Sequence, residues 1–221
     1  MTVIFRLNIR LSNLVTDICK KICYFSRDKF KSTHQPKTFF MLFKELILSR
    51  QSVRRYAGTA VEPEKLNQCL EAARLAPSAS NSQPWKYIVV DQEPLRTEVA
   101  KATFSDIKLI NKYTLQAPVM IVIVMEKAKL LTRLAMIVKK KEWPLIDIGI
   151  TAEHFCLQAA ELGLGTCMIG WFEEDKIKKL LQIPLVKSIG LLISVGYAVD
   201  GYPHREKIRK TMEEIVSRNK Y

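Results

Sequence analysis

Histidine, glycine and cysteine are scarce in this 221-residue chain, at three, eight and five residues, and each scarcity narrows the chemistry. Cys19, Cys23, Cys69, Cys156 and Cys167 include no CxxC pair, and the only histidine near the first two is His34. No metal site is expected, and reduced thiols in a cytoplasmic setting are. No apolar run approaches the ~20 residues that cross a bilayer. The best candidate, 119–125, has the length of a strand, so no membrane partner is expected. Gly163-Leu164-Gly165 is not a dinucleotide fingerprint, because Met168 stands where the third glycine belongs and a helical pattern precedes it. No Ser-His-Asp set, carboxylate pair, internal repeat or low-complexity tract stands out.

Acids are also scarce, but unevenly. The formal charge is +13, and residues 1–40 hold eight Lys or Arg against only Asp17 and Asp28. Further on, basic residues mix with acids, as in 173–176 and 210–214, which is the look of solvated helix faces. With no reader motif and no aromatic-basic ladder, no nucleic-acid partner is expected. Residues 1–40 read as a basic N-terminal extension, disordered or upstream of a native start at Met41. A basic, amphipathic segment of this kind also matches a mitochondrial presequence, while the lack of a small-residue cleavage pattern argues against a secretory signal. Residues 41–221 are long enough for one sizeable core.

From Met41 onward helical and strand patterns alternate. Helices are expected at 43–49, at 62–76 with Leu66, Leu70, Ala73 and Leu75 inward, and from Pro94 to 99. Further helices are expected at 146–162, 173–181 and 209–217. Strands are expected at 87–90, 119–124, 166–170 and 189–197. The 119–124 run is β-branched and apolar throughout, the mark of a strand covered on both faces. Residues 128–141 read as helical or mobile. Asp147 suits an N-cap or first-turn acid, His154 a packing role, and Cys167 a small core position. Trp85 and Trp171 are expected to pack around the site.

The densest polar stretch is Pro77-Ser78-Ala79-Ser80-Asn81-Ser82-Gln83-Pro84-Trp85. Hydroxyls and amides here lie close to the backbone, and prolines fix φ on both sides, so a stiff loop is expected that can hold a planar heterocycle by its edge. Upstream, an extended Arg50-Gln51-Ser52-Val53-Arg54 run projects Arg50, Ser52 and Arg54 on one side. That edge suits an anion. Together the two segments resemble the flavin-binding elements of the nitroreductase family, an Arg-x-Ser-x-Arg opening followed by a Pro-Ser-x-x-Asn-x-Gln-Pro-Trp loop. Two further stretches extend the likeness in the same order: 161–166 with Gly170, and the basic run 202–210.

The resemblance implies an α+β, nitroreductase-like fold, a central mostly antiparallel sheet flanked by helices, assembled as an intertwined homodimer. It implies FMN as cofactor, NADH or NADPH as co-substrate, and an electron-poor small-molecule acceptor, nitroaromatic or quinone, reduced by a ping-pong cycle. No protein side chain is required as acid or base, since the flavin carries the chemistry. Arg50, Gln51, Ser52, Lys207 and Arg209 would hold ribityl and phosphate, and Arg54 would stabilise the reduced flavin. Asn81 would hold the ring edge, and Ile169 and Gly170 would bring a backbone amide to N5. Pro77, Ser78 and Ala79 would approach the partner subunit's flavin, and Trp143 would lie in the segment that caps the substrate pocket. Ala79 departs from the family's second serine, and 103–118 is short, so a small or open cap is expected. A flavin-dependent dehydrogenase or dehalogenase of the same fold, or a non-catalytic flavin-binding or basic interaction protein, remains the alternative.

Overall fold

Residues 119–125 are apolar at every position, and the structure, a computed structural model that describes residues 42–105, 109–129, 138 and 142–221, buries all but the last. The sheet comprises β1 (Trp85–Val90), β2 (Val119–Met125), β3 (Gly165–Ile169) and β4 (Ser188–Gly196), in the order β1-β2-β4-β3. All three pairings are antiparallel. The helices are α1 (Phe43–Ser49), α2 (Pro63–Arg74), α3 (Leu95–Lys101), α4 (Trp143–Glu161), α5 (Glu174–Leu180) and α6 (Met212–Ile215), with 3₁₀ segments at Ala79–Asn81 and Leu109–Gln116. This is the expected α+β arrangement.

Alternation along the inner strands sorts the core into two layers. Val119, Ile121, Ile123, Ile193 and Val195 face Leu66, Cys69 and Ala73 of α2 and Ile148, Ala152, Phe155 and Ala159 of α4. Met120, Val122, Val124 and Leu192 face Val99 of α3 and Ile177 of α5. Because helices cover both faces, no position in β2 can be polar without losing a partner in water. Each fully buried Ile or Val there contributes roughly 1.5–3 kcal/mol.

The long helix α4 places the site, and its end is built into the sequence. Gly163 adopts φ +76°. Its N–H donates to Ala160 O at 3.1 Å and the Leu164 N–H donates to Ala159 O at 2.8 Å, the paired bonds of a Schellman turn. The chain then enters β3 through Gly165, where a Cβ would lie 2.6 Å from Val53 Cγ2. That close approach lets the 50–54 run lie along β3: Ser52 bridges Thr166 in parallel, and the Val53 N–H donates to Thr166 O at 2.8 Å.

Several boundaries differ from expectation. α2 ends at Arg74, so Leu75 is its C-cap and 64% exposed, while Cys69 takes the inward place. α4 starts at Trp143, with Pro144 in its first turn. The last helix is confined to Met212–Ile215, where the Thr211 N–H donates to Glu214 Oε2 at 2.8 Å. The region 103–118 contains the 3₁₀ segment Leu109–Gln116. Most of 128–141, and all of the extension 1–40, lie outside the described residues. Among the described residues no helix is long and apolar enough to cross a membrane.

Candidate functional site

The 50–52 run and the 203–209 arm are laced together through backbone groups. Gln51 Nε2 donates to Pro203 O at 3.2 Å, and the Arg205 N–H donates to Gln51 Oε1 at 3.1 Å. The Arg205 guanidinium donates to Ser52 O and the Lys207 ammonium to Arg50 O. Arg50 Nε sits 3.1 Å from Glu153 Oε1 of α4. Both ends of the Gln51 amide are thereby taken, so this side chain aligns the arm.

Charge is left over. Partial burial, and then Arg50, Arg209 and Arg205, hold the Lys207 ammonium below the ordinary lysine range, with Glu153 opposing them. Neutral carbonyl partners do not cancel like-charge repulsion. A phosphate does, since its oxygens accept from guanidinium and ammonium donors at once. The donor set therefore fits a phosphate-bearing group. Beside it a cavity of about 180 Å³ is lined by Arg50, Gln51, Val53, Gly163, Gly165 and Thr166, smaller than the several hundred Å³ of a whole-ligand pocket. A larger cavity, about 680 Å³, lies among Tyr56, Asp91, Glu93, Arg96 and Pro118. It shares no lining residue with the smaller one, and Arg96 there is already engaged by Glu93 and by Leu115 O and Ala117 O.

The 77–85 loop sits elsewhere on α4. The Ala79 N–H donates to Asp147 Oδ1 at 3.1 Å, the Gln83 N–H to Ser78 Oγ at 2.9 Å, and Gln83 Nε2 to Asn81 Oδ1 at 3.0 Å. Ser80, Asn81 and Gln83 adopt φ of 52°, 49° and 48°, left-handed values that cost non-glycine residues about 1–2 kcal/mol each. These bonds hold the strained turn; the prolines only bound it. Asp147 is not the expected N-cap. It is the fifth residue of α4, 4% exposed, and its Oδ2 has no hydrogen-bond partner. Within one chain the loop is tied to α4 at Asp147 through Ala79, whereas Arg50 is tied to it at Glu153, about 9 Å further along the helix axis.

A third group closes the end of β3. Ile169 is buried and Gly170 is exposed with open space where a Cβ would be, so the backbone there is accessible. The Arg54 N–H donates to Tyr202 Oη at 3.0 Å, and parallel pairing at Ser52 carries Arg54 toward the same strand end. Trp171, expected to pack, is 57% exposed; its carbonyl accepts from Asn111 Nδ2 at 3.3 Å.

A model of the nitroreductase family matches residues 47–197, a span that contains the 50–54 run, the 77–85 loop and Gly170. The chain belongs to this family. Among its relatives, an NADH dehydrogenase of Thermus thermophilus is 26% identical over 200 residues, covering 78% of this chain and 94% of the relative. The crystal structure of a nitroreductase family protein from Clostridium novyi NT superposes with a TM-score of 0.62 at 33% identity, covering 72% of this chain and 87% of that one. An FMN-dependent nitroreductase from Clostridium difficile R20291 does so with a TM-score of 0.62 at 28% identity, covering 80% and 98%.

Within this nitroreductase fold some contributors had no prior signal. Arg205 lies on the same alternation as Lys207 and Arg209 and was legible there. Glu153 and Asp147 were not, because their partners lie 103 and 68 residues away. His154 faces Ala72 O at 3.3 Å and Cys167 is buried, both as expected of packing residues.

Proposed function

We propose that this chain is an oxidoreductase that holds FMN and passes two electrons from NADH or NADPH to an electron-poor small-molecule acceptor, a nitroaromatic or quinone, in a ping-pong cycle. The observation that carries this reading is the surplus of cations at Arg50, Arg205, Lys207 and Arg209, whose protein partners are mostly neutral carbonyls. FMN supplies the electron-transfer chemistry when bound. Lys207, Arg209, Arg205 and Arg50 bind its phosphate, with Ser52 beside the ribityl chain. The exposed Gly170 backbone presents an amide at the reacting edge, and Arg54 opposes the negative charge that develops there on reduction.

The working unit in this reading is a homodimer. Phe43 and Ile47 of α1, Leu145 and Ile146 of α4, and Met212 and Ile215 of α6 are all more than 40% exposed, and among the described residues β1 is a sheet edge with β2 as its one neighbouring strand. Apolar surface of this extent calls for a partner. A second copy also explains why Pro77, Ser78, Ala79 and Asn81 stand apart from the cations of their own chain: they complete the site of the other. The folded unit is 41–221, with 1–40 dispensable, and the free thiols of Cys69, Cys156 and Cys167 fit a cytoplasmic setting.

Purified protein should be yellow, release FMN on acid precipitation, and bleach with NADH or NADPH under anaerobic conditions. Recovery of FAD, or a colourless chain that FMN cannot reconstitute, would overturn the reading. A chain starting at Met41 should stay dimeric and keep its flavin; loss of either would place the extension inside the domain.

A further inference from the structure

β3 ends at Ile169, and Gly170 follows it with no Cβ to limit its backbone. A glycine there permits close approach to a ligand, but it leaves the peptide with more conformations to lose on binding. Something outside the strand must hold it. Further on the chain is caught again: Phe172 packs against the second core layer, and the Glu173 N–H donates at 2.7 Å to the carbonyl of Ala102, the C-cap of α3. Gly170 and Trp171 lie between these fixed points.

The tie in that gap is Asn111, a buried residue of the Leu109–Gln116 segment. Its Nδ2 donates to Trp171 O at 3.3 Å and to Thr103 O at 3.0 Å. Both facing groups are carbonyls, which only accept, so the nitrogen of the amide faces them and both of its protons are used. One side chain thereby joins the chain just after Gly170 to the end of α3. Its own position is held from below. Thr114 Oγ1 lies 2.8 Å from Asn111 O and 3.0 Å from Thr103 Oγ1, which donates to Ala100 O at 2.7 Å. Both threonines are buried.

We infer that Asn111 is a positioning residue: by holding the Trp171 carbonyl it fixes the Gly170 peptide against the reacting edge of the flavin. The inference rests on the FMN reading above, in which the Gly170 amide meets that edge at N5, and goes beyond it in naming the side chain that aims the amide. Without Asn111 the amide is still present but has no fixed direction, and its bond to the cofactor is weakened by the cost of ordering it.

The test uses the full chain and two ligands. Oxidised FMN accepts a hydrogen bond at N5, whereas 5-deaza-FMN carries a C–H there and accepts none, so the ratio of their dissociation constants reads the amide. Wild type should prefer FMN about fivefold, the worth of one hydrogen bond. Asn111→Leu, of similar size and without donors, should cut that preference to about twofold or less. Asn111→Ala should do the same, and stands in if Asn111→Leu does not fold. Thr114→Val removes a buried hydroxyl from the same network and leaves both Nδ2 bonds in place; it should melt earlier and keep the preference. In FMN-free chain the NMR order parameter of the Gly170 amide should fall from about 0.85 to below about 0.6 in the Asn111 variants alone. A preference unchanged in the Asn111 variants overturns the inference, as does an equal fall in Thr114→Val or a Gly170 amide that stays ordered without Asn111. Failure of the reading beneath it looks different. Wild type that binds FMN and 5-deaza-FMN alike has no amide serving N5, and wild type that takes no FMN has no cofactor to position; either result overturns the inference together with its premise.

Discussion

In the 77–85 loop the polar side chains answer one another: Gln83 reaches Asn81, Ser78 caps the Gln83 N–H, and Asp147 takes the Ala79 N–H. In the 203–209 arm they do not. Its cations lean on carbonyls of the neighbouring 50–52 run and on each other's field, with Glu153 opposing that field at Lys207. Among the described residues the loop's side chains mostly bond to one another and to its backbone, whereas the arm carries more positive charge than the groups around it neutralise. A wall that must present a fixed surface is best finished in advance, and a clamp that must recognise an anion is best left short of one.

The largest effect expected from this contrast is on affinity. Lys207→Ala and Arg205→Ala should each weaken FMN binding by about 1.5–3 kcal/mol, the worth of a hydrogen bond to a charged group, or roughly 10- to 150-fold. The FMN-free chain should lose little stability, since the lost bonds to the Arg50 and Ser52 carbonyls are offset by relief of like-charge repulsion. Flavin fluorescence titration and thermal melts check both halves. If the FMN-free variants melt earlier, the arm is as self-sufficient as the loop and the contrast fails.

Asp147→Ala tests the opposite side. It strands the Ala79 N–H, and urea denaturation of FMN-free protein should register a loss of about 1–3 kcal/mol. Asp147→Asn, which retains an acceptor oxygen, should recover part of that. Equal losses for both variants would mean that the loop is held by something other than this bond.

A smaller effect follows from Lys207. Its pKa is lowered in the FMN-free chain by burial and neighbouring cations, and a bound phosphate raises it again. Bound protein therefore holds the proton to higher pH than free protein. FMN affinity should be level at neutral pH and fall as pH rises through the lowered Lys207 pKa, by at most about tenfold per pH unit for one proton. Lys207→Arg should flatten that slope. A slope that survives the replacement would assign the proton to another group.

The smallest effect concerns the strained turn. Ser80→Gly relieves a left-handed residue but also loosens the unfolded chain, so stability should change by less than about 0.5 kcal/mol. Gln83→Gly relieves the same kind of strain while removing the bond to Asn81, and should destabilise. The sign of the difference between the two variants reports whether side-chain bonds or backbone preference hold the loop.

How far the molecule was legible in its sequence tracks the range of the interactions. β2 was plain, because burial on both faces writes itself as an unbroken β-branched run, and the exit of α4 was marked by Gly163. Arg50, Lys207 and Arg209 were readable as alternating cations. Leu75 was misread because the helical period was carried past a helix that stops at Arg74. The exposure of Trp171 depends on how Asn111 ties its carbonyl, which no local pattern states. Asp147 and Glu153 act on residues that only the fold brings near, so their roles could not be written in neighbouring positions.

Arg50 is not bare: Glu153 already sits against it at 3.1 Å. If the proposed FMN phosphate binds at that position, it would take over a guanidinium from a resident carboxylate, and the event there would be ion exchange. On that reading Glu153 would be a keeper ion, engaging the arginine between occupants and competing with each one for it. Removing the keeper should tighten capture and slow release together, which makes Glu153 a setting for how long a bound cofactor stays.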